Sequence, residues 1–345
     1  MASPREVAAM RRALALAVEG PVVGPNPRVG CVLLDSGGTV VGEGRHRGAG
    51  TPHAEVDALA GAQAAATTSG ARPVTAVVTL EPCNHTGRTG PCTRALAEAG
   101  IRRVVHASAD PNPQAAGGAR TLRACGVEVE GGVLAAEADE INRHWLASMA
   151  LGRPFVTWKH ATTLDGRSAA PDGTSRWITG EQARADVHRR RAEAGAIVVG
   201  TGTVLADDPH LTVRDGTGSP VGEQPLRVVV GRRGLPSGAR VLDDAAQTLH
   251  LRTRDPGDVV AALARREVRH VWLEGGPTLA AAFLRAGLVD EVLSYVAPAL
   301  LGAGRHTVAD LGITTIADAV RLRLRAVEQL GEDVLLVSAP PEKEG

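Results

Sequence analysis

The order of hydrophobic and polar positions predicts a helix and then a hairpin at the start of the chain. Apolar residues recur every third or fourth position over 7–18, directly after a Ser-Pro-Arg-Glu capping box at 3–6, which is typical of an amphipathic helix. Two β-like runs follow, over 29–34 and 39–43, and a Ser-Gly-Gly turn at 36–38 joins them. A short glycine-containing connection between two such runs predicts a β-hairpin.

Strand and helix patterns then alternate through the first half of the chain. The predicted elements are a helix over 52–66, a strand over 76–80, a helix over 93–99, a strand over 103–107, a helix over 117–125, a strand over 127–130 and a helix over 134–150. Alternation of this kind predicts a layered α/β sheet. Gly152, Arg153 and Pro154 interrupt the last helical pattern, so we place a domain boundary there.

The second half of the chain repeats the alternation. The predicted elements are a helix over 181–191, strands over 196–199 and 226–230, a helix over 259–266, a strand over 270–273, a helix over 278–285 and β-like runs over 292–296, 322–327 and 334–337. Segments 214–225 and 231–245 are rich in Gly, Pro and Asp and are expected to be surface loops, with 340–345 a frayed tail. The chain is therefore predicted to fold as two α/β domains, residues 1–150 and 154–340.

The composition and net charge of the chain argue against nucleic acid and anionic membranes as binding partners. The 345 residues include 38 Lys and Arg against 38 Asp and Glu, a formal net charge of +0, and only 4 Trp, 1 Tyr and 2 Phe. Binding to nucleic acid or to an anionic membrane needs clustered positive charge, and stacking of bases needs aromatic side chains. The N-terminus interleaves charged and apolar residues and has neither the apolar stretch of a signal peptide nor that of a spanning helix. We therefore expect a cytoplasmic protein that acts on a small molecule.

Two of the four cysteines occur in a pattern that predicts a zinc site. His53 lies near the start of a predicted helix, and Cys83 and Cys92 lie between a predicted strand and the next helix. One imidazole and two thiolates leave the fourth tetrahedral position of zinc open for water, as in catalytic sites, and bound zinc lowers the pKa of water from about 15.7 to about 7. Cys31 and Cys125 have no neighbouring His or Cys, so we expect both to be small buried side chains.

Glu55 is the predicted proton carrier beside that water. A carboxylate there takes a proton from the water and delivers it to a leaving amine, as hydrolytic deamination of an aminopyrimidine requires. Side chains two residues apart on a helix point roughly 200° away from each other, so His53 and Glu55 share a site only if it lies off the helix N-terminus. Cys92, at the start of the next predicted helix, is placed where the helix dipole favours a thiolate.

The zinc motif resembles that of the cytidine-deaminase-like enzymes, with one departure. In that family the second cysteine usually follows the first after two residues, whereas eight residues separate Cys83 from Cys92. The segment 81–92, with Pro-Asn-Pro-Arg-Val-Gly at 25–30, His-Ala-Glu at 53–55 and Asp-Pro-Asn-Pro at 110–113, is similar to the bifunctional deaminase-reductases of riboflavin biosynthesis. The resemblance implies a zinc-dependent pyrimidine deaminase with a cytidine-deaminase-like three-layer α/β/α fold, whose inserted loop helps to bind a phosphoribosyl substrate.

Three residues near the zinc motif are candidate substrate ligands. His85 and Arg88 suit the inserted loop, because a guanidinium can fork onto a phosphate and a glycine-rich turn exposes backbone N–H groups to it. Asn26, held between two prolines, can read the amide edge of a pyrimidine through its paired donor and acceptor. The alternatives are a solvated loop arginine, an ordinary turn asparagine and, for His85, a fourth zinc ligand that closes the site.

Two glycine-rich junctions in the second half are compatible with a dinucleotide site. The strand 196–199 runs into Gly-Thr-Gly-Thr at 200–203, and the strand 270–273 runs into Glu-Gly-Gly-Pro-Thr at 274–278 before a helix. Exposed backbone N–H groups at such junctions favour a pyrophosphate. Neither is a GxGxxG fingerprint, and each alone is more often a tight turn.

Motifs of the second half resemble the reductase half of the same family. They lie at 158–166, 175–179, 199–209 and 273–278, and the whole resemblance extends from about 5 to 301. It implies a dihydrofolate-reductase-like α/β domain that uses NADPH. The cofactor contacts that it implies are Ala161, Trp177, Thr203, Asp207, Gly276, Pro277, Thr278, Leu279, Ala280, Ala281 and Ala282. The substrate contacts that it implies are Ser175, Arg191, Leu211, Arg214 and Glu274.

The chemistry of ribose reduction suggests roles for several cations of the second half. The reaction needs hydride at the sugar C1, a proton at its oxygen and cations on the 5′-phosphate, and Arg191 and Arg214 supply that charge. Lys159 is the candidate proton source or ligand of the sugar hydroxyls, its alternative being a surface lysine. Arg232 and Arg233 are candidates for the extra phosphate of NADP, although the family is expected to carry a small or acidic residue there, so the choice between NADPH and NADH stays open.

The resulting hypothesis is a two-step enzyme of riboflavin biosynthesis. It deaminates 2,5-diamino-6-ribosylamino-4(3H)-pyrimidinone 5′-phosphate and then reduces the ribosyl group to ribityl with NADPH, and we expect a homo-oligomer. One alternative is a zinc deaminase of another base, nucleoside or tRNA whose second domain has no reductase activity. The other is a zinc-binding interaction protein without catalysis.

Overall fold

The computed structural model describes residues 1–85 and 90–341. The chain forms two compact units, Met1–Gly152 and Arg153–Gly345. The predicted substrate ligand Arg88 and the end of the predicted tail, 342–345, lie outside the described residues.

The first unit is built on a five-stranded sheet. Its elements are α1 (Pro4–Val18), β1 (Gly30–Leu34), β2 (Val40–Arg45), α2 (Ala54–Ser69), β3 (Thr75–Leu80), α3 (Cys92–Glu98), β4 (Arg103–Ser108), α4 (Gly118–Ala124), β5 (Glu128–Gly131), α5 (Ala135–Ile141) and α6 (Arg143–Leu151). The strand order is β2-β1-β3-β4-β5, in which β1 is antiparallel to β2 and β3 and the other pairs are parallel. The predicted hairpin is therefore the β1–β2 pair.

Helices cover both faces of this sheet, so the predicted three-layer arrangement is confirmed. On one face Val32 and Val77 pack with Met10 of α1, and α5 belongs to the same cluster. On the other face Leu33 and Val78 pack with α2, α3 and α4. Strands that are buried on both faces have nearly continuous apolar sequences, so these strands could be predicted from the sequence.

The chain leaves helical geometry at Asn142, so the prediction of a single helix over 134–150 is wrong. Asn142 separates α5 from α6 and has φ −115° and ψ 18°. The Arg28 N–H donates to Asn142 Oδ1 at 2.8 Å, and Asn142 Nδ2 donates to the Arg28 carbonyl at 2.9 Å. These two bonds join Asn142 to a backbone segment 114 residues away and compete with helical geometry.

The second unit is built on an eight-stranded, mostly parallel sheet. Its elements are β6 (Phe155–Thr163), β7 (Arg167–Ala169), α7 (Glu181–Arg191), β8 (Ala196–Gly200), α8 (Thr201–Asp207), β9 (Leu226–Val230), β10 (Thr248–Leu251), α9 (Pro256–Ala264), β11 (His270–Leu273), α10 (Pro277–Arg285), β12 (Glu291–Ala297), β13 (Arg305–His306), β14 (Arg323–Leu330) and β15 (Asp333–Ala339). The order is β10-β9-β8-β11-β6-β12-β15-β14, and β15 is antiparallel to both of its neighbours.

The two faces of the second sheet have separate cores. Val260 of α9 and Phe283 of α10 belong to one, and Ala183 of α7 and Val204 of α8 belong to the other. Ala161 of β6 packs against the α7–α8 core. Because side chains alternate along a strand, Lys159 is on that same face of β6. The predicted reductase residues of β6 thus lie on the side that α7 and α8 cover.

Several features differ from the sequence-based expectations. The helix α8 and the strand β10 were not predicted, and a 3₁₀ helix, Arg240–Leu242, lies within the predicted loop 231–245 with its central Val241 buried. Cys31 is buried as predicted, but Cys125 is exposed because it follows the last turn of α4 at the surface. No helix among the described residues combines the length and the apolarity needed to cross a bilayer.

Candidate active sites

Two helix N-termini and one loop bring the three predicted zinc ligands together. His53 is the residue that precedes the first turn of α2, Cys92 is the first residue of α3, and Cys83 follows β3. His53 Nδ1 lies 3.5 Å from Cys83 Sγ and 3.3 Å from Cys92 Sγ. The Cys92 backbone N–H donates to Cys83 Sγ at 3.4 Å, as the free amide of a helix start can.

These distances fit a zinc ion. Zinc bonds of about 2.0–2.1 Å to nitrogen and about 2.3 Å to sulfur place the two atoms about 3.6 Å apart in a tetrahedron. Within the ranges 1–85 and 90–341, the group of three or more possible metal donors whose atoms all lie within 4.8 Å of one another is His53, Cys83 and Cys92. His85 is not part of that group, so the described residues supply three ligands.

Hydrogen bonds and burial at this site favour the thiolate form of Cys83 and the protonated form of Glu55. Hydrogen bonding from Cys92, supported by His53, lowers the pKa of the Cys83 thiol. Glu55, in the first turn of α2, is only 4% exposed. Burial, with the neighbouring Cys83 sulfur, raises the pKa of Glu55. A carboxyl with a raised pKa beside three metal donors is suited to accepting and releasing a proton.

His46 holds Asn26 beside the same site, and the sequence analysis did not identify this residue. A carbonyl oxygen only accepts, so the contact of His46 Nδ1 with the Pro52 carbonyl at 3.1 Å places the ring proton on Nδ1. The His46 Nε2 then accepts from Asn26 Nδ2 at 2.9 Å. Burial lowers the pKa of His46, which keeps the ring neutral. Within residues 1–85 and 90–341 no hydrogen bond uses Asn26 Oδ1, so this oxygen can accept from a ligand, and the His46 ring lies 5.5 Å from that of His53.

An ion pair forms the centre of a second site, in the other unit. Arg191, the last residue of α7, donates to both oxygens of Glu274, from Nε at 2.8 Å and from Nη2 at 2.5 Å. The Trp272 indole N–H also donates to Glu274. Burial alone raises the pKa of a carboxyl, but Arg191, Lys159 and these hydrogen bonds outweigh it and hold the pKa of Glu274 at about 2. Glu274, directly after β11, is therefore a carboxylate.

Lys159 lies beside that pair on β6. Its Nζ is 5.8 Å from the centre of the Tyr295 ring. Burial lowers the pKa of Lys159, the Glu274 carboxylate opposes this change, and the Arg191 cation adds to it. An ammonium with a lowered pKa releases its proton more readily than a surface lysine does.

The other predicted substrate contacts of this unit lie in the loop before α7 and in the 211–214 segment. Arg214 is partly buried, Ser175 lies in the loop before α7, and Leu211 is buried against the α7–α8 core with a positive φ of 53°. The Arg191 Nη1 donates to the carbonyl of Thr212, which brings the 211–214 segment to the end of α7.

The predicted cofactor contacts lie at neighbouring loop and helix ends. Trp177 is 70% exposed, and the Arg184 guanidinium lies 4.6 Å from its ring centre. Arg176 Nη2 donates to the carbonyl of Asp207 at 2.9 Å, which joins the loop before α7 to the end of α8. A Cβ built on Gly276 would lie 3.9 Å from Thr203 Oγ1, so the starts of α8 and α10 are adjacent.

The segment 276–282 presents both exposed and core positions. Gly276 and Pro277 begin α10, Thr278 is exposed, Leu279 and Ala282 are partly buried, and Ala280 and Ala281 are buried. A Cβ on the preceding Gly275 would lie only 2.6 Å from Leu279, so the backbone turns tightly there. The side chains of Ala280 and Ala281 are buried, so a cofactor would contact these residues through their backbone atoms. Their role in cofactor binding stays a prediction.

Comparisons with known proteins find matches to both halves of the chain. Residues 4–108 match the cytidine and deoxycytidylate deaminase zinc-binding region, and residues 154–336 match the RibD C-terminal domain. The chain is 53% identical over 313 residues to the riboflavin biosynthesis protein RibD of Mycobacterium tuberculosis, covering 90% of each chain. It is 40% identical over 367 residues to RibD of Escherichia coli, covering 95% of this chain and 97% of that one.

The chain belongs to the RibD family of riboflavin biosynthesis proteins.

Solved structures of the RibD family share its fold. Acinetobacter baumannii RibD has a TM-score of 0.84 at 40% identity, covering 98% of this chain and 99% of that one. A Thermotoga maritima protein described as a diaminohydroxyphosphoribosylaminopyrimidine deaminase and 5-amino-6-(5-phosphoribosylamino)uracil reductase has a TM-score of 0.84 at 32% identity, with the same coverage. The predicted cytidine-deaminase-like domain followed by a RibD-type reductase domain is confirmed. The protein is a bifunctional zinc-dependent deaminase and NADPH-dependent reductase of riboflavin biosynthesis.

The residues present fit both groups that the RibD family requires. One imidazole and two thiols at tetrahedral separations are the donor set of a catalytic zinc. In the second unit no side chain caps the start of α10, which leaves its positive end available to a phosphate of NADPH. Arg233 lies near the start of α8, because a Cβ on Gly202 would be 3.3 Å from Arg233 Nη2. A guanidinium there is compatible with the extra phosphate of NADPH.

Proposed function

We propose that the first unit deaminates 2,5-diamino-6-ribosylamino-4(3H)-pyrimidinone 5′-phosphate and that the second reduces the product. The first reaction adds water at the amine-bearing ring carbon and releases ammonia, which leaves a carbonyl. The second reaction converts the ribosyl group of 5-amino-6-(5-phosphoribosylamino)uracil into a ribityl chain. The substrate named for the Thermotoga maritima relative has the same chemical class.

In the proposed deamination, residues at the start of α2 hold the metal and move the protons. Zinc bound by His53, Cys83 and Cys92 supplies the Lewis acidity that makes water a nucleophile near neutral pH. Glu55 takes a proton from the water and passes it to the departing amine, and its burial supports this role because it keeps the pKa of the carboxyl raised. Asn26, oriented by His46, accepts a hydrogen bond from the pyrimidine ring through Oδ1.

In the proposed reduction, charged residues orient the opened sugar and supply its proton. Ala161, Thr203 and the start of α10 would hold NADPH, which would supply hydride for the sugar C1. Lys159 donates a proton to the sugar oxygen, which becomes a hydroxyl. Glu274 favours the protonated form of Lys159, since its carboxylate opposes the lowering of the lysine pKa.

The observation that supports this function most strongly is the three-ligand cluster beside a buried carboxyl. The test supplies the diaminopyrimidine phosphate with and without NADPH and follows ammonia release and the absorbance of NADPH separately. Ammonia release without NADPH, followed by NADPH oxidation when it is added, is the expected result. NADPH oxidation with no ammonia release, or neither, would contradict the proposal. We also predict a homo-oligomer located in the cytoplasm.

A further inference from the structure

Three polar atoms near the Arg191–Glu274 pair are buried without a hydrogen-bond partner among the described residues. They are His188 Nδ1, Thr212 Oγ1 and Arg214 Nε. Thr212 is only 1% exposed, so bulk water does not solvate its hydroxyl. Buried polar atoms are nearly always bonded in folded proteins. Three unbonded atoms beside one charged group provide three positions at which a polar ligand could form hydrogen bonds.

The position of His188 on α7 places it within the second site. Residues 184, 188 and 191 are spaced i, i+4 and i+7, so they share one helix face. At one end of this face Arg184 lies over Trp177, and at the other end Arg191 is bonded to Glu274. Burial lowers the pKa of His188 to about 4, and the cations of Arg191, Arg214 and Lys159 add to the effect. His188 is therefore a neutral imidazole that faces the charged residues of the reductase site.

The two arginines of this site differ in their availability to an anion. Arg191 uses Nε and Nη2 on Glu274 and Nη1 on the carbonyl of Thr212. Burial, and then the nearby Arg191, lowers the pKa of Arg214. No ion pair joins Arg214 to a carboxylate of the described residues. A partly buried guanidinium without a counter-ion is unfavourable, so Arg214 is the cation that gains most from a bound phosphate.

We propose that Thr212 and His188 are further ligands of the phosphoribosyl substrate, with Thr212 and Arg214 on its phosphate and His188 on a sugar hydroxyl. Arg191 then acts mainly by holding Glu274 and the 211–214 segment in place. The proposal rests on the proposed reductase function and names ligands for that same site. It distinguishes a phosphate-binding part, at Thr212 and Arg214, from a sugar-binding part, at His188.

The test measures the reductase with supplied 5-amino-6-(5-phosphoribosylamino)uracil, using inorganic phosphate as a competitive inhibitor. Thr212→Val, which keeps the shape and removes the hydroxyl, is expected to raise both the KM and the phosphate inhibition constant about tenfold, because a hydrogen bond to an anion is lost. Thr212→Ser is expected to restore both constants. His188→Phe is expected to raise the KM about tenfold and to leave the phosphate inhibition constant unchanged.

Thr162→Val is the matched control, since Thr162 is a buried threonine on the opposite face of β6 from Lys159. It should leave both constants unchanged. If the wild-type enzyme oxidises NADPH and both variants keep the wild-type KM, the further inference is wrong while the proposed function stands. If the wild-type enzyme itself fails to oxidise NADPH with this substrate, the proposed function is wrong instead.

Discussion

The two sites of this protein are built in different ways. In the first unit, three donors and one carboxyl come from two helix starts and one loop, and their atoms already lie at the separations that a metal requires. In the second unit, charged residues come from β6, the end of α7, the 211–214 segment and the end of β11, and two of them are bonded to each other. The first site is organised for a metal, and the second is organised by its own ion pair.

This difference explains why the metal site of the first unit could be predicted from its residues, whereas the ion pair of the second unit could not. Zinc ligands are a rare combination of residue types at helix starts, so His53, Cys83 and Cys92 could be predicted from their residue types and their positions beside predicted helices. The Arg191–Glu274 pair joins residues 83 positions apart, and each of them alone looks like a common charged residue. Only the resemblance to a family pointed to them.

The largest effect is expected from a substitution that removes the metal and leaves the Arg191–Glu274 ion pair intact. Cys92→Ala deletes one of the three donors that the described residues supply, so zinc content should fall from one per chain to none and ammonia release should become undetectable. Reduction of supplied uracil intermediate should remain. Cys125→Ala, at an exposed cysteine, is the matched control and should change neither activity. Loss of reduction in Cys92→Ala would show that the sites are not independent.

A second substitution tests whether the ion pair stabilises the second unit. Glu274→Gln leaves Arg191 and Lys159 without their carboxylate in a mostly buried site, so the free energy of unfolding should fall by about 3 kcal/mol. Urea unfolding measures this change. Glu43→Gln breaks an equally well-aligned but exposed pair with Arg12 and should have little effect. If both substitutions lower the free energy of unfolding equally, burial does not make the Arg191–Glu274 pair more stabilising than the Arg12–Glu43 pair.

The same substitution should also move the pH profile of the reductase. If Lys159 donates the proton, kcat/KM is high below the pKa of Lys159 and falls as the pH rises through it. Glu274 opposes the lowering of that pKa, so its removal lowers the pKa further. The alkaline limb in Glu274→Gln should therefore shift to lower pH, as measured by initial rates of NADPH oxidation. If the alkaline side of the kcat/KM profile does not move, Lys159 is not the proton donor.

A smaller effect is expected from His46, which orients Asn26 and is not one of the three zinc donors. His46→Leu removes both the acceptor for Asn26 Nδ2 and the donor to the Pro52 carbonyl, so the KM for deamination should rise about tenfold while kcat changes less and zinc content stays constant. Steady-state ammonia release and metal analysis test this expectation. A fall in kcat with an unchanged KM would place His46 in a different role.

Local sequence patterns predicted most of the fold, and contacts between distant segments account for much of what they missed. The bounds of α7, β9 and β11 match the prediction because apolar runs and helical spacing end there at polar or glycine residues. The break at Asn142 was missed because its cause is the backbone of Arg28. The helix α8 was missed because Gly200 and Gly202 favour a turn when read alone.

The partner of a side chain was the least predictable property. His46 and Trp272 have no motif of their own, and their roles follow from bonds to Asn26 and to Glu274. His188 and Thr212 became candidates only because the folded chain leaves their polar atoms buried and unbonded within the described residues. Such information is held in three-dimensional packing and not in residue spacing.

The most direct test of two independent sites is the pair of activities in Glu55→Gln, measured with its zinc content. The substitution keeps the size of the side chain and removes the proton carrier, so ammonia release should fall by about a thousandfold with zinc still bound. Reduction of supplied 5-amino-6-(5-phosphoribosylamino)uracil should proceed at the wild-type rate. Loss of both activities together, or full retention of deamination, would contradict the account.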